Sequence, residues 1–383
     1  MEKKRPPERV KREIVRTCHA GFDSGRLRRE VLARLRTVVP FEAVCFPTAD
    51  PATLMITGNV GEGLPPEASR GFFRVEYGAD DFNKFSRLAR SRNRVRTLSE
   101  ATEGDFERSA RWREVFGPLG LDDDLRAALI AEGNCWGYLA LHREAAKGSF
   151  TPEEARFVAE LSGHLAAGLR KALLLENVEA AQAAEGPGLL LLDDQLQVVA
   201  STPAADYWLL EVGRSGKDIG NLPSPILAAA SSVQALEREG AEASLMPRSR
   251  LRTDSGRWLV VHASRLAAGE EPRGRIAVIL ELAHPLEIAP LIAAAYGLSD
   301  RERQVLQQVV IGLSTMEIAK ALFISSNTVQ DHLKAIFEKT GVRSRRELVA
   351  QIFTQQYLPR IWNRNKLGAD GWFAQPASAA GAQ

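Results

Sequence analysis

The sequence predicts a multidomain protein in which two α+β domains precede an all-α domain of four short helices. Strand-like segments bounded by turn residues recur up to about residue 284, whereas only helical periodicity follows Pro285. A long helical pattern from Thr151 to about Glu185 divides the strand-containing part in two. A length of 383 residues suits two or three domains better than one.

The composition excludes several classes of protein. Hydrophobic residues make up 45% and charged residues 26%, which is typical of a soluble globular chain. No run of apolar residues approaches the length of a transmembrane helix, and the charged N-terminus MEKKRPPERVKREIVR lacks the apolar core of a secretory signal. We therefore expect a cytoplasmic protein with no membrane partner.

The cysteines argue against a disulfide framework or a structural zinc site. Cys18, Cys45 and Cys135 are far apart, their number is odd, and no C-x-x-C occurs. We expect no metal and no cofactor. The formal net charge of +2 is too small to indicate any class of partner.

The first α+β domain is predicted over residues 8–180. Helical periodicity appears near Leu27–Val38, and EAVCF and TLMITGNV have the pattern of strands. Helical patches follow at DDFNKFSRLARS and RSARWREVFGPLG, and LRAALIAEGNCWGYLALHR predicts a β-hairpin. The long helix begins with a capping box of Thr151 and Glu154. Its first half should close this domain, and its second half should continue as a connector and dimer stalk.

The second α+β domain is predicted over residues 186–284. PGLLLLDDQLQVVAST contains two short strands around Asp193–Asp194, and a helical middle follows. SLMPRSRLRT, RWLVVHASRL and RIAVILELA then predict a meander of three strands.

Capping signals define four helices in the C-terminal domain, which is predicted over residues 288–358. Capping-box spacing occurs at Ser299 and Glu302, Ser314 and Glu317, and Ser344 and Glu347, with a further cap at Ser325 and C-cap glycines at Gly312 and Gly341. The predicted helices span about 299–311, 315–322, 326–340 and 345–356. The short connection between the second and third is typical of a helix-turn-helix. The tail, 362–383, is rich in Ala, Gly and Ser and predicts disorder.

The third helix separates into an apolar and a polar face. Its apolar positions can share one small core with the neighbouring helices, and the predicted core consists of Val305, Leu306, Val309, Ile318, Leu322, Ile324, Val329, Leu333, Ile336 and Val342. Gln330, Asp331, Lys334 and Glu338 follow one another at spacings of 3 and 4 and should face solvent.

The stretch LSDRERQVLQQVVIGLSTMEIAKALFISSNTVQDHLKAIFEKTGVRSRREL resembles, without a gap, the DNA-binding domain of LuxR-type transcriptional regulators. The resemblance covers about the last sixth of the chain. It implies that the third helix enters the major groove of double-stranded DNA and that the fourth helix pairs two copies as a homodimer. Leu348, Val349, Ile352 and Phe353 form the apolar stripe expected to make that contact.

The resemblance also implies roles for individual residues at the DNA. Phosphate contacts are expected from the start of the third helix, namely Ser325, Ser326, Asn327 and Thr328. They are also expected from the nearby basic residues Lys320, Lys334, Arg343 and Arg345. Gln330 can bond adenine, and Asp331 can accept from cytosine. Members of the family often carry Lys at the position of Gln330, so the base preference stays open. Asp331 could instead act only by repelling phosphates.

The first domain resembles GAF sensory domains in its order of elements and in its strand WGYLALHR leading into FTPEEARFVAEL, and the second resembles a PAS domain more weakly. Such domains form a cup for a small-molecule ligand, a cofactor or a partner surface. Cys45, Trp136 and Tyr138 are candidate pocket residues, although the same residues would suit a plain core. Cys45 and His142 could ligate haem or metal, but isolated His and Cys residues rarely do.

Motifs for catalysis are missing. The sequence has no P-loop, dinucleotide fingerprint, G-x-S-x-G or H-E-x-x-H, and no acidic cluster of a phosphoacceptor domain near its N-terminus. We expect no catalytic residues and a DNA-binding transcriptional regulator under the control of its sensory domains. The alternative is a sensory enzyme or signalling scaffold whose helical C-terminus mediates protein contacts.

Overall fold

The computed structural model describes residues 6–175, 186–213, 222–237, 246–266, 275–283 and 285–350. The chain forms two compact units, one containing both predicted α+β domains and the other consisting mainly of the helices from residue 285 on. The last part of the predicted long helix, 176–185, and the predicted disordered tail, 362–383, lie outside the described residues. No helix within the described ranges is long and apolar enough to cross a membrane.

The first α+β domain is built on a five-stranded antiparallel sheet in the order β2-β1-β5-β4-β3. Its strands are β1 (Ala43–Ala49), β2 (Ile56–Glu62), β3 (Val95–Thr97), β4 (Leu121–Ala131) and β5 (Asn134–Glu144). Its helices are α1 (Pro7–His19), α2 (Ser24–Leu35), α3 (Ala68–Gly78), α4 (Phe85–Arg90), α5 (Leu98–Thr102) and α6 (Pro152–Leu175). The predicted hairpin is confirmed as β4 and β5.

The two faces of this sheet have different chemistry because side chains alternate along a strand. Leu125, Leu139 and Leu141 are fully buried on the face that packs against α6. Helix α6 begins as predicted, since the Thr151 N–H donates to Glu154 and the Glu154 N–H donates to Thr151 Oγ1. The opposite face carries Asp124 and Arg126, which are buried against α3 and α4.

Several features of this domain differ from the prediction, including helix α5, which was not predicted. Strand β3 and helix α3 were not predicted, and α3 has no side-chain N-cap that would signal its start. The patch RSARWREVFGPLG is not an α-helix: Trp112–Phe116 form a π-helical turn that leads directly into a 3-10 turn. Its preceding residue, Arg111, is held by the buried carboxylate of Asp81, which accepts from the Arg111 backbone N–H and from Nη1.

The second α+β domain repeats the strand order of the first, as β7-β6-β10-β9-β8, without a visible sequence repeat. Its elements are β6 (Gly188–Leu192), β7 (Val198–Ser201), α7 (Pro203–Gly213), α8 (Ser224–Leu236), β8 (Arg248–Arg252), β9 (Trp258–Arg265) and β10 (Ile276–Leu282). The predicted strand pair around Asp193–Asp194 and the three-strand meander are confirmed.

Helix α8 joins the two α+β domains. Every residue from Ser224 to Val233 is buried, because α8 packs against β9 and β10 of its own domain and against α3 and β2 of the first. Beside it, Asp50 accepts hydrogen bonds from Arg250 through the backbone N–H at 3.0 Å, Nε at 2.9 Å and Nη2 at 2.7 Å. The Asp50 side chain is fully buried, so the pair is shielded from solvent screening.

The C-terminal helices are α9 (Pro285–Ala295), α10 (Asp300–Val310), α11 (Thr315–Leu322), α12 (Ser326–Thr340) and α13, described over 345–350. Helices α11 and α12 have the predicted bounds, whereas α9 was not predicted as a separate helix. The capping boxes at Ser299 and Ser314 are confirmed. At the third box Ser344 Oγ accepts from the Glu347 N–H, but the Glu347 carboxylate accepts from the Arg343 N–H rather than from Ser344.

One apolar core holds these helices together. Eight of the ten predicted core residues are buried in it, and Leu322 and Ile324 pack at its edge. The buried members that were predicted are Val305, Leu306, Val309, Ile318, Val329, Leu333, Ile336 and Val342.

An ion pair between Lys339 and Glu302 also links two of these helices. The Lys339 Nζ lies 2.7 Å from Glu302 Oε2 and also donates to the Gly297 carbonyl, which ties the end of α12 to the start of α10. Burial raises the pKa of Glu302, but the hydrogen bonds from Lys339 and Ser299 outweigh this effect and leave the pKa below its usual value.

We predict that residues 285–358 fold alone, because α9 to α13 share a core of their own. The fragment should give a helical circular dichroism spectrum and a cooperative melt. Ile336→Ala should lower its free energy of unfolding by about 2–5 kcal/mol, and the exposed control Gln307→Ala should change it little. A fragment without a cooperative melt would contradict this prediction.

We further predict that Lys339→Met destabilises this fragment by about 1–2 kcal/mol at pH 7, a modest value because Lys339 is partly exposed. The folded-state pKa of Glu302 is depressed, so the stability from this pair is present above the unfolded pKa and is lost as the pH falls. The difference from the parent should therefore shrink below about pH 4. Urea melts at both pH values, with Lys334→Met as the control on the same helix, measure it. A pH-independent difference would assign the loss to packing alone.

Candidate nucleic-acid interface

Helices α11 and α12 are joined by a three-residue turn. Phe323 adopts the left-handed conformation with φ of 56°, and its side chain is 95% exposed. Ser325 then caps α12, since its Oγ accepts from the Thr328 N–H at 3.0 Å. Thr328 Oγ1 lies 2.8 Å from the same oxygen. The turn and the cap together fix the direction in which α12 leaves α11.

Helix α12 has one buried stripe and one exposed stripe. Val329, Leu333 and Ile336 are buried in the core. The predicted polar residues are all exposed, namely Gln330, Asp331, Lys334 and Glu338. Ser326 and Asn327, in the first turn of the helix, are exposed as well. Gln330 and Asp331 therefore lie on the same accessible side of α12 as Ser326, Asn327 and Lys334.

The nearby basic residues divide into two groups. Lys320, Lys334 and Arg343 are exposed. Arg345 is half-buried, and its guanidinium donates to the Leu313 carbonyl. The sequence patterns showed which residues are basic, but only the packing shows that Arg345 and Lys339 hold helix ends within the domain.

The predicted dimerisation stripe is only partly available. Leu348 is 2% exposed and belongs to the core, and Val349 is half-buried against it. Ile352 and Phe353 lie outside the described residues.

Of the candidate pocket residues in the first α+β domain, Cys45 lines a cavity of about 420 Å³. Tyr138 is core: its hydroxyl donates to the Leu54 carbonyl at 2.9 Å, and its ring stacks on Phe85. Trp136 is buried, and its Nε1 donates to the Ala131 carbonyl at 3.4 Å. Neither Tyr138 nor Trp136 is among the residues that line this cavity.

His142 is a buried core side chain. Desolvation, with a smaller effect of Arg126 and Arg111, lowers the pKa of His142 to about 3, and its ring packs 4.2 Å from that of Phe116. Cys45 is paired in the sheet with Ala140. Within the described ranges, no group of three or more His, Cys, Asp or Glu side chains could hold a metal ion.

Comparisons with known proteins agree with two of the three predicted regions. The probable csgAB operon transcriptional regulatory protein of Salmonella typhimurium is 45% identical over 53 residues, which is 14% of this chain and 24% of that protein. The probable transcriptional regulatory protein NarL of Mycobacterium tuberculosis is 39% identical over 71 residues, 18% of this chain and 30% of that protein. The chain thus spans less than a third of the length of either relative.

A solved GAF domain, from a phosphoenolpyruvate-protein phosphotransferase of Coxiella burnetii, aligns at 18% identity with a TM-score of 0.30 and covers 43% of this chain and 94% of that one. Residues 26–169 match the family model of the GAF domain. Residues 297–352 match the model of bacterial regulatory proteins of the luxR family. The chain therefore carries a GAF domain followed by a helix-turn-helix domain of the luxR family.

Proposed function

We propose that this protein is a sequence-specific DNA-binding transcriptional regulator and that α12 reads the major groove. The observation that carries the proposal is the exposed polar stripe of α12, which lies opposite the stripe that fixes the helix in its core. The stripe belongs to the segment that matches the luxR family, and both relatives above are named as transcriptional regulatory proteins. We propose no catalytic activity, and we place the protein in the cytoplasm.

Phosphate contacts in this proposal come from the start of α12 and from three exposed basic side chains. The first N–H groups of a helix favour an anion, and Ser326 and Asn327 flank them at an exposed end. Lys320, Lys334 and Arg343 add charge. Ser325 and Thr328 bond one another and therefore serve first to shape this end. Arg345 donates to the Leu313 carbonyl, so its proposed role is to stabilise the domain that presents α12 to the phosphates.

Base recognition is assigned to Gln330 and Asp331. A Gln side chain can bond adenine in a bidentate manner, and a carboxylate can accept from the amino group of cytosine. Both residues are exposed in the second turn of α12. Phosphate contacts elsewhere would position the helix, and these two side chains would then carry the sequence preference.

The protein is proposed to act as a homodimer under the control of a small-molecule ligand of its sensory domains, the second of which we regard as PAS-like. Because Leu348 is buried in the core, the proposed dimer contact is made by Val349, Ile352 and Phe353. A two-fold pair would present two copies of α12 about 34 Å apart, one turn of DNA. A signal at the sensory domains would then change the population of the DNA-binding arrangement.

We predict that Gln330→Ala weakens binding to a selected operator by about 1–3 kcal/mol and changes binding to a scrambled duplex little. Lys334→Ala should weaken binding to both duplexes and reduce the slope of log affinity against log salt by about one. Binding isotherms of the full chain over a salt series measure both. If both isotherms stayed unchanged in both variants, α12 would not be the reader.

Asp331→Ala separates the two roles left open for that residue. If Asp331 accepts from cytosine, only the operator should be bound more weakly, by about 1–3 kcal/mol. If it repels phosphates, both duplexes should be bound more tightly and the ratio between them should fall. The same salt series distinguishes the two, because only the second role changes binding to scrambled DNA.

We predict that Ile352→Glu weakens operator binding about tenfold or more, because a charge in an apolar two-fold contact opposes dimerisation. Ala350→Glu, at an exposed position of α13, is the matched control. Sedimentation equilibrium gives the oligomeric state, and a thermal melt checks that the variant folds. Dimers and operator affinity that both equal those of the control would rule out this contact.

A further inference from the structure

The cavity of about 420 Å³ lies mainly in the first α+β domain and reaches the start of α8 in the second. Its wall includes Cys45 and Pro47 of β1, Ile56 and Asn59 of β2, the loop after β2 and the first turns of α3. Ser224, the first residue of α8, contributes from the second domain. Pockets that take small molecules have volumes of about 300–1,000 Å³, and this cavity falls at the lower end of that range.

Part of the wall is aromatic. Four phenylalanines line it, namely Phe72, Phe73, Phe85 and Phe116. The ring of Phe72 lies 5.2 Å from Phe73, 6.3 Å from Phe85 and 6.5 Å from Phe116, measured between centroids. Flat, contacting rings of this kind complement a planar ligand, since aromatic pairs gain stacking and edge contacts in addition to burial.

Buried ion pairs hold these rings in place. The Arg126 guanidinium lies 4.5 Å from the Phe85 ring and 5.5 Å from the Phe72 ring. Arg126 is itself fixed by Glu76 at 2.7 Å and by Asp124 at 3.0 Å. Phe116 belongs to the π-helical turn that follows Arg111, and such turns often mark functional sites. The cavity wall is thus preorganised by charges that do not themselves line it.

The charge of the wall selects against ionic ligands. Among the described residues that line the cavity, none is Lys, Arg or His, so an anion would be desolvated without a counterion. The one carboxylate in the lining, Glu62, is paired with Arg36 at 2.7 Å. A cation would likewise find no free carboxylate among these residues, because Glu62 is already engaged by Arg36. An uncharged ligand avoids both penalties.

A polar group in the wall gives the ligand a point of attachment. Asn59 lines the cavity, and its Oδ1 is buried with no hydrogen-bond partner in the part of the chain that the structure describes. A buried carbonyl oxygen without a donor costs about 1–3 kcal/mol, and a ligand N–H or O–H would remove that cost. Ser69 and Ser224 supply hydroxyls in the same lining.

We propose that this cavity binds an uncharged, planar aromatic molecule that donates a hydrogen bond to Asn59, and that α8 forms part of the site. Because α8 also packs on α3 and β2, an occupied site would strengthen the contact between the two α+β domains. The inference rests on the proposed control by a small molecule. Its test measures binding rather than DNA affinity, so that either proposal can fail alone.

The test compares two fluorescent probes in titrations of the full chain. N-phenyl-1-naphthylamine is uncharged, aromatic and has one N–H donor. 8-Anilinonaphthalene-1-sulfonate has the same rings and an added sulfonate. We expect one saturable site for the uncharged probe and binding of the sulfonate about tenfold weaker or worse. Equal or tighter binding of the sulfonate would overturn the ligand class, and no saturable site for either would overturn the site.

Three variants locate the probe. Ser69→Trp fills the cavity and should abolish saturable binding, whereas Glu67→Trp, at an exposed position that does not line it, should leave the affinity unchanged. Asn59→Leu keeps the apolar wall and should weaken the probe about two- to tenfold. Thermal melts of all three check folding. Unchanged binding in Ser69→Trp would place the probe elsewhere, and unchanged binding in Asn59→Leu would remove Asn59 from the site.

Hydrogen exchange tests the contribution of α8. Bound probe should slow exchange of amides in α8 as well as in α3, because both helices border the occupied cavity. Slowed exchange in α3 alone would show a site of the GAF domain without α8, and would overturn the shared part of the proposal.

Discussion

A buried network of Asp124, Arg111 and Arg126 ties the helices on one face of the first α+β domain to its sheet. Asp124 accepts hydrogen bonds from Nε of both arginines at 3.0 Å. Arg111 also pairs with Asp81, and Arg126 with Glu76. Burial raises the pKa of Asp124, but the two guanidinium groups outweigh it and hold the pKa below its usual range. Removing one partner would strand a charge without water, so the network fixes α3, α4 and the π-helical turn relative to the sheet.

The helix-turn-helix domain is stabilised differently, because a few capped helices share a small apolar core. Helix α12 contributes one stripe to that core and leaves the opposite stripe exposed. Caps at Ser299, Ser314 and Ser325 satisfy N–H groups that short helices would otherwise leave without partners. A scaffold stabilised in this way places no demand on Gln330, Asp331 or Lys334, which are therefore available for contacts with another molecule.

Local signals made much of this fold predictable. Capping boxes, C-cap glycines and hairpin turns act over a few residues, and the bounds of α11 and α12 follow from them alone. The features that the sequence did not predict depend on interactions between residues far apart in the chain. The π-helical turn is anchored by Asp81, thirty positions before Arg111, and Lys339 meets Glu302 across the core. The burial of Leu348 likewise depends on how α13 packs, which its apolar periodicity cannot show. The contribution of Ser224 to the cavity also depends on how the second domain packs on the first.

The division of the basic residues bears on the acidic character of the proposed reading helix. Lys339 is paired with Glu302 and Arg345 donates to the Leu313 carbonyl, so fewer positive charges are available to DNA than the sequence suggests. Non-specific affinity for DNA rises with the number of phosphates that a protein neutralises. With few outward charges and Asp331 on the exposed stripe, binding to random DNA should be weak. Base-edge contacts would then supply a large share of the operator affinity, and an acidic residue on the helix is compatible with selective rather than strong binding.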